Sequence, residues 1–235
     1  MPSLIIYLPR VQNRSEFFPA SRIQESLVAS VEKRVLIWLA QRIPAWINSD
    51  HLTMLGFISQ CLAGVCYAVA KFNPDALLVG ILCLALNWLG DSLDGTLARV
   101  RNRQRPRYGF YVDHVTDTVA AFFLMGGLAL SGYAHPGIAF GMLIAFLMLS
   151  IESYLATYTL GQFQLSYWKF GPTEIRILLA TGNLALLRHP VIKVAGNPVL
   201  LFDLGGVIAI FGMAVMLMVS AAKHTSQLYK DEPLA

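Results

Sequence analysis

Asp91-Ser92-Leu93-Asp94-Gly95-Thr96-Leu97-Ala98-Arg99 is followed after nine residues by Gly109, and then at intervals of four by Asp113 and Asp117. The four acids sit at the edges of segments apolar enough to cross a membrane. Hydrocarbon cannot solvate a carboxylate, so ionisable groups there are costly and usually mark function. Asp91 and Asp94, at i,i+3, share one face of a helix, and Asp113 and Asp117, at i,i+4, share one face of the next. The short connection makes the two helices antiparallel neighbours, so the pairs converge near one end. Carboxylates so placed repel one another unless something positive lies between them. Oxygen ligands from two helices suit Mg²⁺ or Mn²⁺, which bind carboxylates together with substrate phosphates. Gly95, Ala98 and Gly109 remove bulk where a large ligand approaches the backbone. A lone acid at a helix end would ordinarily cap it or pair with a nearby arginine; four acids, three small residues and Arg99 at these spacings read as a motif.

The surrounding composition sets the fold class. Of 235 residues, 56% are hydrophobic and only 14% charged, with a mean hydropathy of +0.56. The segments 138–151 and 204–222 hold Glu152 and Asp203 just outside them, and the second can span a bilayer alone. The expectation is an all-α, polytopic membrane protein built as one helical bundle, with membrane lipids as its surroundings and no nucleic-acid partner. Residues 4–8 are too short for the apolar core of a secretory signal, and Pro9 ends them. Cys61, Cys66 and Cys83 lie in the apolar segments without ligand spacing and read as small core residues.

Six spans are expected, at 52–70, 76–98, 108–132, 137–160, 172–188 and 199–222. The fifth is interrupted by Glu174, Arg176 and Asn183. With the N-terminus cytoplasmic, fifteen of the eighteen Lys and Arg residues fall on the cytoplasmic side, leaving Lys71, Arg188 and Lys193 outside. That bias puts both termini and the acidic cluster on the cytoplasmic face. Before the first span, Ser21-Arg22-Ile23-Gln24 reads as a capping box with Glu25 in the first turn. Ile23, Leu27, Val31, Val35 and Leu39 then recur at spacing four. This pattern suits an amphipathic helix lying in the membrane interface, or equally a helix packed on its own bundle. The organisation expected is an interfacial segment (1–50), a six-span domain (51–222) and a cytoplasmic tail (223–235).

The acidic segment resembles the signature of the CDP-alcohol phosphotransferase (phosphatidyltransferase) family, and every specified position is matched. The resemblance extends to the six-span layout over roughly residues 50–222. It implies an enzyme of phospholipid synthesis that transfers a phosphoryl-bearing group from a CDP-linked donor to an alcohol and releases CMP. Carried over by position, Asp91, Asp94 and Asp113 are implied metal ligands. Asp117 is implied as the general base, with possible contact to a second metal. Gly95, Ala98, Arg99 and Gly109 are implied to line the nucleotide site. Thr53 matches an upstream family position that meets the nucleotide, whereas Asp50 replaces an amide the family often carries. The resemblance also implies a homodimer, to which Gly137-x-x-x-Gly141 adds a possible close helix approach.

Further polar residues refine the expectation. His114, directly after Asp113, resembles the choline and ethanolamine phosphotransferase branch, and its imidazole is an alternative base or an interfacial hydrogen-bonding group. Gly171-Pro172-Thr173-Glu174 resembles the same branch. Glu174 is a candidate to hold an acceptor or cationic headgroup, and Arg176 to bind a phosphate, unless the two only balance charge near a span's end. Arg101, Arg103, Arg105 and Arg107 suit positive-inside topology and anionic-lipid contact. Six spans and modest length favour CDP-diacylglycerol with a polar alcohol. His114 and Glu174 favour a CDP-aminoalcohol with diacylglycerol. A metal-dependent prenyltransferase would place its two acidic motifs far apart, and a cation transporter would place ligands near the midplane.

Overall fold

The computed structural model describes residues 21–23, 29–164 and 171–233, with side chains over 32–161 and 171–233. Most of the described residues are helical, as an all-α, polytopic membrane protein requires. The N-terminal reading needs correction. Ser21–Ile23 (β1) is extended and pairs in parallel with Gln162–Gln164 (β2), so no capping box forms at Ser21. Gln24, Glu25 and Leu27 lie outside the described residues. The Ser-x-x-Gln spacing is short enough to occur in extended chain, and strand pairing satisfies these backbone groups instead. The helix, α1, is Ala29–Ala40. It packs on the bundle through Leu36 and Ala40, which join Leu52, Leu93 and Leu97 in a buried cluster.

α2 (Ser49–Ala70) begins at a reciprocal cap. The Asn48 side chain accepts from the His51 backbone N–H at 3.1 Å, and the His51 ring nitrogen accepts from the Asn48 N–H at 3.2 Å. α3 spans Ala76–Val100 and α4 spans Pro106–Ser131. Pro106 stands in the first turn of α4, where its missing N–H breaks no bond, so the arginine-rich stretch is not continuous helix. α5 (Pro136–Leu160) is capped by His135, whose own N–H is held by Asp203 at 2.6 Å. After β2 come α6 (Pro172–Leu186), the hairpin β3 (Val191–Val194) and β4 (Asn197–Leu200), and α7 (Leu201–Asp231). The hairpin turns on Ala195 and Gly196, both left-handed (φ 49° and 86°), the two-residue geometry that suits strand twist.

α2, α3, α4, α5 and α7 are long and apolar enough to cross a membrane. α6 has 15 residues, about 22 Å of helix against a hydrocarbon core of about 30 Å. Five candidate spans are therefore present among the described residues, and the interrupted fifth segment is the one that falls short. α7 continues unbroken nine residues past the expected end at 222.

Backbone contact organises the inner helices. A Cβ on Gly90 would lie 2.5 Å from the Gly56 nitrogen, and one on Gly127 would lie 1.8 Å from the Gly64 carbonyl oxygen. α2 therefore touches α3 at one level and α4 at another, as small residues allow in membranes. Gly141 instead faces the Ile210 side chain of α7 within the same chain. A second buried cluster, including Ala63, Tyr67, Leu77, Leu84, Leu124, Leu128 and Leu186, fills the opposite end of the bundle from the α1 cluster. The polar residues described next occupy the level between the two.

Candidate active site

Three helices present one face each to a shared cavity. α2 supplies Thr53, Gly56, Phe57 and Gln60; α3 supplies Asn87 and Asp91; α4 supplies Asp113, Thr116, Asp117 and Ala120. The spacings of three, four and seven are those of a single helical stripe, and the Gly56–Gly90 contact brings the α2 and α3 stripes close. Asp91, Asp113 and Asp117 thus converge as their positions in the chain predicted. Asp117 lies in the combined field of Asp91, Asp113 and Asp94, opposed by Arg176.

Arg176 enters from α6. Its Nη2 donates to Asp91 Oδ2 at 2.6 Å and its Nε donates to Asn87 Oδ1 at 2.7 Å, with only 14% of the arginine side chain exposed. Asn87 in turn donates through Nδ2 to the Gly56 carbonyl at 3.0 Å, so the arginine is held on a fixed, buried partner. Asn87 was missed by sequence reasoning. Its signal was present: an amide in an apolar span, one helical turn before Asp91.

Asp94 is 7% exposed and is not among the cavity-lining residues. Thr53 Oγ1 donates to its Oδ2 at 2.6 Å, and the Gly95 N–H donates to its Oδ1. Ser49 Oγ donates to the Asp94 carbonyl at 3.0 Å. Thr53 therefore both borders the cavity and orients Asp94. Asp50, where the family often has an amide, pairs with Arg105.

Gly95 and Gly109 differ from the glycines at helix crossings. A Cβ on Gly95 would meet only the Arg99 guanidinium, at 3.4 Å, and one on Gly109 would meet nothing within 4 Å. Helix packing does not require glycine at either position, and Gly109 leaves open space beside the backbone. Arg99 is exposed and donates to Thr96 Oγ1 at 3.0 Å; Ala98 is half-buried one residue before it.

His114 lies off the cavity lining. Its Nδ1 donates to the Phe110 carbonyl at 2.6 Å, and its ring sits 4.1 Å from that of Phe110 and 4.7 Å from that of Tyr154. Glu174 accepts from the Gly171 N–H at 2.9 Å, closing the first turn of α6. Two of the loop arginines make protein contacts: Arg105 to Asp50, and Arg101 to the Ile43, Pro44 and Ile47 carbonyls, which fixes the link between α1 and α2. Glu152, partly buried, pairs at 2.6 Å with the buried His224 of α7, and neither lines the cavity.

As placed, no three His, Cys, Asp or Glu side chains among the described residues close around a single ion. The donor set is nonetheless all oxygen. It suits a cation that takes one or two carboxylates and completes its shell with water and phosphate, and Asp91 already holds a positive group at 2.6 Å.

A polytopic helical membrane protein with an acidic, arginine-bearing cavity between its inner helices is the class these features define. Residues 46–222 match the CDP-alcohol phosphatidyltransferase family, and the chain belongs to that family. Members generally use a divalent cation. The chain is 27% identical over 150 residues to cholinephosphotransferase 1 of Gallus gallus, covering 60% of this chain and 44% of that protein. It is 29% identical over 113 residues to archaetidylinositol phosphate synthase of Methanothermobacter thermautotrophicus, covering 48% of this chain and 53% of that protein. The chain thus spans about half the length of these curated relatives. Membership displaces the prenyltransferase and transporter readings. α1 lies outside the matched residues.

Proposed function

We propose that this chain is an integral-membrane, divalent-metal-dependent transferase of phospholipid synthesis, which moves a phosphoryl-bearing group from a CDP-linked donor to an alcohol and releases CMP. The observation that carries the reading is the convergence of Asp91, Asp113 and Asp117 on one cavity, with Arg176 set against Asp91. Asp91, Asp94 and Asp113 would hold Mg²⁺ or Mn²⁺, and Asp117 would share a second ion. The bound cation supplies charge stabilisation to the diphosphate and to the oxygen that leaves with CMP.

The chain's own groups do the rest. The acceptor hydroxyl attacks the phosphorus that carries the transferred group, while the bond to the CMP oxygen breaks and CMP leaves with that electron pair. Asp117 takes the hydroxyl proton as the new phosphorus–oxygen bond forms, because a neutral alcohol is a poor nucleophile. His114 is the alternative base. Its hydrogen bond to Phe110 and its place between two aromatic rings favour Asp117. Gly95, Ala98, Arg99, Gly109 and Thr53 receive the nucleotide, supported by the open space at Gly109 and the Arg99 guanidinium over Gly95. Arg176, beside Asp91 at the cavity, would contact a phosphate of the substrate.

The span layout and modest length favour CDP-diacylglycerol with a polar alcohol acceptor, and Arg176 would meet the diphosphate that either donor carries. A second reading, a CDP-aminoalcohol with diacylglycerol, is supported by the Asp113-His114 pair and by the longer match to the chicken relative. Glu174 then contributes through the first turn of α6, which it caps. We place α6 as a sixth, short crossing and the cavity at the cytoplasmic face, where Arg99 and the following loop arginines lie. A homodimer is the assembly the family resemblance implies.

The test is CMP release by detergent-purified protein given each donor, a panel of acceptors and Mg²⁺ or Mn²⁺. CMP formed with one donor–acceptor pair identifies the reaction. No CMP from any pair, or undiminished turnover in Asp117→Asn, overturns it.

A further inference from the structure

α3 carries two interleaved pairs of polar residues, each one turn apart. Asn87 and Asp91 face Arg176 of α6. Trp88 and Ser92, each one position further on, face Glu32 of α1: the Trp88 indole donates to Glu32 Oε1 at 2.8 Å and Ser92 Oγ donates at 3.2 Å. The same oxygen accepts from Thr173 Oγ1 at 2.8 Å, and Thr173 stands one turn before Arg176 on α6. A single carboxylate therefore joins α1, α3 and the first turn of α6, directly beside the contact that brings Arg176 to the acidic cavity.

The rest of α6 shows why this join matters. Its buried residues, Asn183 and Leu186, are both in its last turn, where Asn183 accepts from Tyr67 at 2.8 Å. Ile175, Ile177 and Leu178 in its first half are exposed on the bundle surface. Leu179, at the midpoint of α6, packs partly buried against the core cluster, but before it no apolar side chain among the described residues is buried, so polar contacts hold the first turn. Those described are Thr173 to Glu32 and Arg176 to Asn87 and Asp91. Loss of the Thr173–Glu32 bond removes the contact that ties this turn to α1 and lies one turn from the guanidinium.

We propose that Glu32 is a positioning residue for Arg176: it holds the first turn of α6 at the register where the guanidinium meets the acidic cavity. The inference rests on the reading of Arg176 as a phosphate contact and extends the functional unit beyond the family-matched residues into α1.

The experiment uses the full chain in detergent, with Glu32→Ala, Glu32→Gln, Arg176→Ala and the Glu32→Ala/Arg176→Ala double variant. Amide hydrogen exchange over residues 172–178 and the affinity for CDP with Mg²⁺ are both measured. Glu32→Ala is expected to speed exchange of that segment about tenfold, as a local opening that costs less would. It is also expected to weaken CDP binding about tenfold, whereas Glu32→Gln, which keeps an acceptor oxygen, stays within about threefold of wild type. Removing Glu32 in the Arg176→Ala background is expected to change CDP affinity less than about twofold, because residues acting through one another are not additive. Unchanged exchange in Glu32→Ala, or an equal loss of affinity in both backgrounds, overturns the proposal. A wild-type chain that releases no CMP and binds no CDP overturns the reading of the site instead, and the exchange measurement still decides the role of Glu32.

Discussion

Replacing Gly109 with alanine separates two uses of glycine that sequence alone presents as one. No atom lies within 4 Å of the Cβ that alanine would add, and the position is three residues inside α4. Alanine in place of glycine within a helix gains about 0.5–1 kcal/mol, so the folded protein is expected to hold or improve its stability. Gly127→Ala, on the same helix, drives a Cβ to 1.8 Å from the Gly64 carbonyl oxygen. The two backbones must part, and overpacking of this kind costs about 1–3 kcal/mol or more. Thermal unfolding of the two variants in one detergent compares these effects. The reasoning requires the more stable of the pair, Gly109→Ala, to be the one that raises the KM for the CDP-linked donor, by about tenfold, as the loss of about 1.4 kcal/mol of binding would. A Gly109→Ala protein that unfolds early would make Gly109 a packing residue. One with unaltered stability and unaltered KM would show that the open space is not where the nucleotide binds.

Asp117→Asn is expected to lower kcat about 10²–10⁴-fold with little change in donor KM, as loss of a general base does; His114→Ala should cost less than about tenfold, and the reverse order would assign the proton transfer to His114. Chelation should abolish CMP release and added Mg²⁺ or Mn²⁺ restore it, with Thr53→Val raising the metal concentration needed for half-maximal rate because Asp94 loses its 2.6 Å hydrogen bond; metal-independent turnover would remove the cation from the mechanism. Glu152→Ala should lower the unfolding temperature while leaving kcat of the surviving fraction near wild type, since it leaves His224, buried at 9% exposure, without its partner at a cost of about 1–3 kcal/mol. A specific loss of kcat without loss of stability would instead join that pair to the chemistry.

Local spacing carried the acidic stripe and the long helices, because helical periodicity and apolar length are written residue by residue. Asp91, Asp113 and Asp117 meet as their intervals predict. The capping-box reading at Ser21 failed because four positions cannot distinguish a helix start from an extended segment that finds a partner 141 residues away, here Gln162. The Gly137–Gly141 pattern drew attention to α5, while the crossings that set the site rest on Gly56, Gly90, Gly64 and Gly127. A small residue announces that close approach is permitted, and only the packed bundle shows which neighbour accepts it.

From the sequence alone came the class of protein, its family, the apolar spans and the four acids, since each depends on identities and intervals along one or two helices. The tertiary structure decided which charges face one another. It set Arg176 against Asp91 across 85 positions, turned Asp94 toward Thr53, placed His114 between aromatic rings, and brought Glu32 beside Thr173. These are contacts between helices: backbone-to-backbone packing sets α2 against α3 and α4, and polar bonds bring α6 and α1 to them. No periodicity within a single segment encodes that arrangement.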